Sequence, residues 1–239
     1  MEQLKPFFSG KSIHNVLDIG TGTGDFIKLI SPYFAEDTKI TGIDRSEEAL
    51  AGARLENSSV HVNFIRMEGE KMDFPDQSFD VVCLSNAMHH LASTEKTFSE
   101  MKRVVKNDGW LVIAEIVSDS LNEAQENQKL WHHFKSYVDR KSGITHQETW
   151  TEKEVLAMIK SAGIFPAMTF PFNRMESPVT DPEKLKNWID QFAASLAQLE
   201  GHPEYDEKAA LFELFKTRVN RYGFQLARQI VVVGQAKKS

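Results

Sequence analysis

Apolar residues in the first half of this chain come in short runs, and polar, helix-favouring stretches separate them. Residues 16–19, 39–43, 61–66, 79–85 and 109–115 are rich in Val, Ile and Leu and read as buried strands. Residues 25–33, 46–56 and 93–105 read as helices between them. Ser46 ahead of Glu47 and Glu48 supplies an N-cap with acids in the first turn. Strand and helix alternating over short connections predict an α/β fold, a parallel sheet with helices on both faces. In such a sheet ligands bind at the carboxyl ends of the strands, where the strand order reverses. Gly20, Asp44, Glu68 and Asn86 all follow predicted strand ends and are expected to meet in one crevice.

After Glu115 the pattern changes. Residues 120–140 read as a helix with Leu130, Trp131, Phe134, Tyr137 and Val138 on one face, which turns His132 toward solvent. Thr151-Glu152-Lys153-Glu154 is a capping-box signature. It opens a helix that Gly163 ends, and a strand follows near residues 164–170. Pro171 and Pro178 mark a loop, and Asp181-Pro182-Glu183 starts another helix with proline at its first position. Leu185, Trp188, Ile189, Phe192, Leu196 and Leu199 recur along it at helical spacing. A further helix runs from about Asp206 to Tyr222, and residues 229–236 are a clear strand. The expected organisation is a core of residues 1–118, 151–170 and 229–239. A helical segment at 119–150 and a helical insertion at 171–228 are expected to cap its crevice.

Candidate chemistry concentrates in Val16-Leu17-Asp18-Ile19-Gly20-Thr21-Gly22-Thr23-Gly24, a strand that turns through three alternate glycines into a helix. Glycine lets the backbone pass close to a ligand, and a helix start offers unpaired N–H groups. Ile40-Thr41-Gly42-Ile43-Asp44 then ends a second strand in a carboxylate, suited to accept both hydroxyl hydrogens of a ribose. These features point to a nucleoside-containing cofactor. The dinucleotide fingerprint G-x-G-x-x-G would need a third glycine where Asp25 stands, and a carboxylate there repels a pyrophosphate. The spacing that is present is D-x-G-x-G-x-G, starting at Asp18.

Three further segments continue the pattern. Residues 68–80 (EGEKMDFPDQSFD) are similar to "D-A-E-x-L-P-F-x-D-x-S-F-D". Residues 81–91 (VVCLSNAMHHL) are similar to a strand followed by "hHH-L". Residues 100–111 (EMKRVVKNDGWL) are similar to "E-x-x-R-V-L-K-P-G-G-x-L". With the glycine turn, these ordered segments across residues 16–116 resemble the class I S-adenosylmethionine-dependent methyltransferases, in particular the ubiquinone/menaquinone C-methyltransferase-like (type 11) group. The last hundred or so residues match that group only loosely, and substrate choice is expected to lie there.

The resemblance implies a doubly wound, mostly parallel seven-stranded sheet (a Rossmann-like methyltransferase fold) with a helical cap, and S-adenosylmethionine as cofactor. Its last two strands would form a hairpin, here split by the helical insertion. Asp44 would hold the ribose hydroxyls. Gly20, Gly22 and Gly24, with Thr21, would line the methionine part, and Asp18 would fix the turn and assist at the ammonium. Glu68, where the group usually has Asp, would lie near the adenine amino group. Gly69 would present its N–H to the ring, Asn86 would offer its backbone, and Arg45 would flank the ribose acid.

Methyl transfer from a sulfonium is an in-line displacement that positioning alone can accelerate, and a base is needed only when the acceptor must lose a proton. His89, His90, Glu115 and His146 are the candidate bases. Each also has a structural reading, as packing or hydrogen bonding. A His-pair metal site would need further ligands at fixed spacing; none is evident, and no metal is expected.

Net charge is −6, from 34 acids against 28 bases, which disfavours a nucleic-acid partner. No run of eighteen uninterrupted apolar residues is present, so no membrane span is expected. Residues 1–11 lack the charged start and apolar centre of a signal peptide, and the single cysteine, Cys83, excludes an internal disulfide. A cytoplasmic location follows as the expectation. The acceptor is expected to be a small molecule. Aromatic and methionine side chains in the second half, such as Trp131, Phe170 and Met175, read either as helix core or as the wall of an apolar or aromatic acceptor pocket. Two other readings remain: a non-catalytic S-adenosylmethionine-binding protein, and a nucleotide-dependent oxidoreductase of the same fold.

Overall fold

Residues 1–57 and 62–236 are described by the computed structural model. His61, the first residue of the predicted third strand, and residues 237–239 of the predicted core lie outside them. The chain runs α1 (Leu4–Phe8), β1 (Asn15–Ile19), α2 (Asp25–Ile30), β2 (Lys39–Asp44), α3 (Glu47–Glu56) and β3 (Val62–Arg66). It continues through β4 (Phe79–Ser85), α4 (Thr94–Val104), β5 (Val105–Ile116), α5 (Glu123–Lys141) and α6 (Glu152–Ser161). The closing elements are β6 (Ile164–Phe172), α7 (Pro182–Ala197), α8 (Tyr205–Tyr222) and β7 (Gln229–Ala236).

The strands form one seven-stranded sheet in the order β3-β2-β1-β4-β5-β7-β6. β1 pairs in parallel with β2 and β4, β2 with β3, and β4 with β5. This is the doubly wound sheet expected from the alternating pattern, and the strand order reverses between β1 and β4. The central strands are covered on both faces, which is why they read as continuous apolar runs. Val16, Leu17 and Ile19 of β1 and Val81 through Leu84 of β4, Cys83 among them, are fully buried. β6 and β7 are neighbours in the sheet although α7 and α8 separate them in the chain. No helix among the described residues is long and apolar enough to cross a membrane.

The chain divides into two units. The first comprises residues 1–115, 156–170 and 230–239 and holds the sheet. Two details differ from the sequence pattern. The predicted helix 25–33 is α-helical only to Ile30 and ends in a 3₁₀ turn, Ser31–Tyr33, because Pro32 has no N–H and disfavours α geometry before it. β5 begins at Val105 rather than near residue 109, with a bulge where it meets Phe79 and Val81 of β4.

The E-x-x-R pair on α4 has a structural purpose in this unit. Arg103 donates to the carbonyls of Phe74 and Met72, each at 2.7–2.8 Å, and to Asp76 and Glu100. Glu100 in turn accepts from the Met72 N–H at 2.7 Å. The segment between β3 and β4 has little regular structure, and these bonds satisfy backbone groups that a helix or strand would otherwise pair.

The second unit, residues 116–155 and 171–229, is helical. Its core is made by Phe134 and Val138 of α5, Leu185, Phe192 and Leu196 of α7, and Phe215 and Val219 of α8. The rings of Phe134 and Phe192 stack with centroids 4.0 Å apart. α5 starts with a complete capping box between Asn122 and Gln125, and Thr151 and Glu154 form the predicted one ahead of α6.

One expectation is corrected here. His132 is not turned to solvent; it is only 8% exposed. α5 buries a second stripe beside its apolar one, Gln125, Gln128, His132, Ser136 and Asp139. A search for apolar periodicity does not register that stripe because it is polar; hydrogen bonds hold Gln125, Ser136 and Asp139 within it.

Phe192→Ala would leave a large cavity in the helical core and remove the ring stack. A loss of about 3–5 kcal/mol is expected, measurable as a lowered midpoint of chemical unfolding followed by circular dichroism.

Candidate functional site

At the carboxyl ends of β1, β2 and β4 the first unit has a cavity of about 370 Å³, within the range usual for small-ligand sites. The glycine turn forms one wall. Gly20 and Gly22 both have positive φ, +65° and +53°. A Cβ on Gly20 would stand 2.8 Å from the Ala87 Cβ, so this position closes the turn onto the loop that follows β4. A Cβ on Gly22 would meet nothing within 4 Å, and Gly22 lines the cavity: the bare backbone there faces open space.

Asp44 ends β2 opposite the turn. Its carboxylate accepts from the Gly22 N–H at 2.9 Å through Oδ2 and from the Ser46 N–H at 2.8 Å through Oδ1. Each oxygen thus uses one lone pair on the backbone and keeps another, and the group is fixed without a neutralising cation among these bonds. Arg45, Glu68, Gly69, Asn86 and His90 complete the predicted residues that line the cavity. Asn86 adopts a left-handed backbone, φ 49°, which is uncommon outside glycine. Its N–H is held by the Ala114 carbonyl at 2.8 Å, and its buried Oδ1 has no hydrogen-bond partner among the described residues. Backbone strain of this kind gathers at ligand sites.

Other predicted residues sit elsewhere. Asp18, Thr21 and Gly24 are not in the cavity wall. Asp18 is buried at the centre of the sheet, and neither carboxylate oxygen has a hydrogen-bond partner among the described residues. Burial pushes its pKa up to about 7; the nearby Thr21 hydroxyl lowers it in part without completing a hydrogen bond, and the Asp44 charge raises it further. Gly24 caps α2 at φ 80°.

His89 and Glu115 are both buried and partner each other, with Nδ1 of His89 2.7 Å from Oε1 of Glu115. Oε2 of Glu115 accepts from the Met88 N–H at 3.0 Å. Of the adjacent histidines, His90 lines the cavity and His89 does not. His146 belongs to the helical unit, where its Nδ1 lies 2.7 Å from Oδ2 of Asp139.

Sequence reasoning missed Ser46, Met67, Glu70 and Leu91 in the wall. Met67 directly follows β3, so the strand-end rule that selected Glu68 also covered it. Ser46 reads in the sequence only as an N-cap, a role it does fill, accepting from the Ala49 N–H at 3.2 Å.

The family described as "Methyltransferase domain" matches residues 17–113. The chain is 32% identical over 102 residues to an uncharacterized methyltransferase, YcgJ, of Bacillus subtilis, covering 43% of this chain and 40% of that one. It is 38% identical over 105 residues to a demethylmenaquinone methyltransferase of Symbiobacterium thermophilum, covering 42% of each. A malonyl-[acyl-carrier protein] O-methyltransferase of Marinomonas matches over a longer stretch, 28% identical over 229 residues, covering 94% of this chain and 80% of the relative. The chain thus spans about two fifths of the length of the first two relatives. The crystal structure of YcgJ superposes with a TM-score of 0.63 at 20% identity, covering 100% of this chain and 98% of the other, which shows the shared fold.

The unpaired Asp18 carboxyl gives a pH test. Its folded pKa near 7 lies above its ordinary value of 3.8, so the folded state keeps a proton that the unfolded state has lost. Stability from this group is complete below the unfolded pKa and is lost as pH rises through the folded one. Asp18→Asn removes the titration. The stability difference, variant minus wild type, is expected to rise by roughly 2–4 kcal/mol between pH 4 and pH 7.5, measured by denaturant unfolding without ligand.

Proposed function

On the premise that residues 17–113 are a class I S-adenosylmethionine-dependent methyltransferase domain, we propose that this chain transfers a methyl group from S-adenosylmethionine to a small-molecule acceptor. The observation that carries the reading is the Asp44 carboxylate, locked against the Gly22 N–H in the wall of the cavity. The cofactor of this family is S-adenosylmethionine, and the residues present fit it. Asp44 would hold the ribose hydroxyls with its remaining lone pairs. The open face at Gly22 would admit the methionine portion, and Asn86 would offer its unpaired Oδ1 and backbone near the amino acid end. Glu68 and Gly69 would serve the adenine, and Arg45 would flank the ribose.

When bound, the cofactor supplies a methyl already activated on a sulfonium. The work left to the chain is to orient the reactants and exclude water. A buried acid close to neutrality suits that ligand. Asp18, proton-bearing alone, can ionise beneath the turn when a cation lies above it, so the turn tolerates both states. A pyrophosphate ligand would meet Asp25 and Glu68 unfavourably, and this argues against the oxidoreductase reading.

His90 is the candidate base best placed, since it lines the cavity. The buried His89–Glu115 pair is assigned to holding the loop after β4, with Glu115 fixing the Met88 N–H. His146 is held for the helical unit. Acceptor choice is assigned to residues outside 17–113, where the family match ends. The demethylmenaquinone relative favours a small-molecule acceptor. A single cysteine suits a reducing compartment, and the cytoplasm is the assigned location.

Release of S-adenosylhomocysteine in the presence of candidate acceptors, followed by mass spectrometry, tests the activity. An acceptor gaining 14 mass units (about one methylene, as hydrogen is replaced by methyl) supports it; cofactor binding with no acceptor methylated across quinol, phenol, amine and thioester classes would favour the non-catalytic reading.

Two variants test the site by calorimetric titration with S-adenosylhomocysteine. Asp44→Ala loses charge-assisted hydrogen bonds of roughly 1.5–3 kcal/mol each, and affinity is expected to fall at least tenfold while the sheet stays folded. Gly22→Val places a branched side chain at φ +53° and into the cavity, and no binding is expected. Wild-type affinity in either folded variant would move the site elsewhere.

A further inference from the structure

The helical unit contains a pair of imidazoles that the methyl-transfer reading does not use. His132, on the polar stripe of α5, and His146, in the loop after it, place their Nε2 atoms 3.1 Å apart. Both are buried, at 8% and 5% exposure. We propose that His132 and His146 bind a divalent transition-metal ion through these two nitrogens.

Three observations carry this. Two imidazole nitrogens on one tetrahedral ion, each at about 2.05 Å, stand roughly 3.3 Å apart, close to the spacing found. The other nitrogen of His146, Nδ1, lies 2.7 Å from the Asp139 carboxylate. That is the carboxylate–histidine arrangement which fixes the tautomer with the proton on Nδ1, the form of imidazole that ligates through Nε2. Finally, the loop that carries His146 is fastened to the end of α5. Ile144 N–H donates to the Asp139 carbonyl at 2.9 Å, and Arg140 donates to the His146 carbonyl at 2.7 Å and to Ser136 Oγ at 3.0 Å. Asp139 is itself held by Lys135. The donors are therefore pre-positioned, with little ordering left for binding to cost.

Imidazole nitrogen selects zinc, copper, nickel, cobalt or iron over calcium and magnesium. The remaining coordination positions fall to other donors. The thirteen residues between the two histidines match no metal-ligand spacing on one helix, which is why the sequence gives no sign of the pair.

The same 3.1 Å spacing also accommodates one N–H···N hydrogen bond, and the test separates the two. Full-length, tag-free protein stripped with chelator is titrated with Zn²⁺ by calorimetry and with Co²⁺ by visible absorption. One ion per chain is expected. His132→Gln and His146→Gln are each expected to weaken Zn²⁺ binding at least 100-fold, and Asp139→Asn 10- to 100-fold. His133→Gln, one residue along the same helix, is expected to leave it unchanged. Pulsed electron paramagnetic resonance of the Cu²⁺-loaded wild type, which needs no variant to fold, is expected to show imidazole coordination. No stoichiometric ion, no imidazole signal, a double His132→Gln/His146→Gln variant that binds like wild type, or an equal loss in His133→Gln would each overturn the proposal.

Discussion

The Asp44 carboxylate is the joint that holds the cavity wall of the sheet unit together. Two backbone N–H groups, from Gly22 before it in the chain and Ser46 after it, hold one oxygen each at 2.8–2.9 Å. Those bonds tie the glycine turn after β1 to the start of α3 after β2. They also leave a fixed negative group facing the cavity, with nothing in those bonds to neutralise it. Other parts of the wall are fixed by contacts of their own. Gly20 closes the turn onto Ala87, Asn86 accepts a strained backbone beside it, and the segment bearing Glu68 and Gly69 is pinned through Arg103. In the proposed reading, electrostatics select among nucleoside ligands of similar shape: the carboxyl groups of Asp44 and Glu68, which line the cavity, would suit a sulfonium and an ammonium and oppose a pyrophosphate.

The sheet and most of the wall were legible in the chain because their signals are local. Strands covered on both faces are written as apolar runs, and positive-φ turns are written as glycine. Other features are set by tertiary contacts and leave no period to find. Asp18 heads the D-x-G-x-G-x-G spacing and invites assignment as a contact, yet it lies in the sheet interior. Nothing in a linear motif distinguishes a residue in the wall from one beneath it. The E-x-x-R pair at Glu100 and Arg103 looks like part of a cofactor motif and acts by satisfying backbone carbonyls at Met72 and Phe74. His132 was misplaced for the opposite reason. Its stripe on α5 is polar, and only its hydrogen-bond partners, far along the chain or in the next loop, show that it is inside.

The helical unit draws its stability from a different source than the sheet does. Its core is aromatic, with Phe134, Phe192, Phe215 and Phe224 fully or almost fully buried, while the other side of α5 is a buried polar stripe from Gln125 to Asp139. Buried polar groups of that kind are costly unless paired, and the Gln128 Oε1 has no hydrogen-bond partner among the described residues. The family match ends at residue 113, and this unit lies outside it.

The central claim, that the charge arrangement around Asp44 selects S-adenosylmethionine over a dinucleotide, is tested most directly by titrating the wild-type chain with S-adenosylhomocysteine and, separately, with NAD in one calorimeter. Saturable one-to-one binding of S-adenosylhomocysteine, with no heat from NAD at concentrations a hundredfold higher, is the expected result. Binding of NAD at equal or greater affinity would contradict the account.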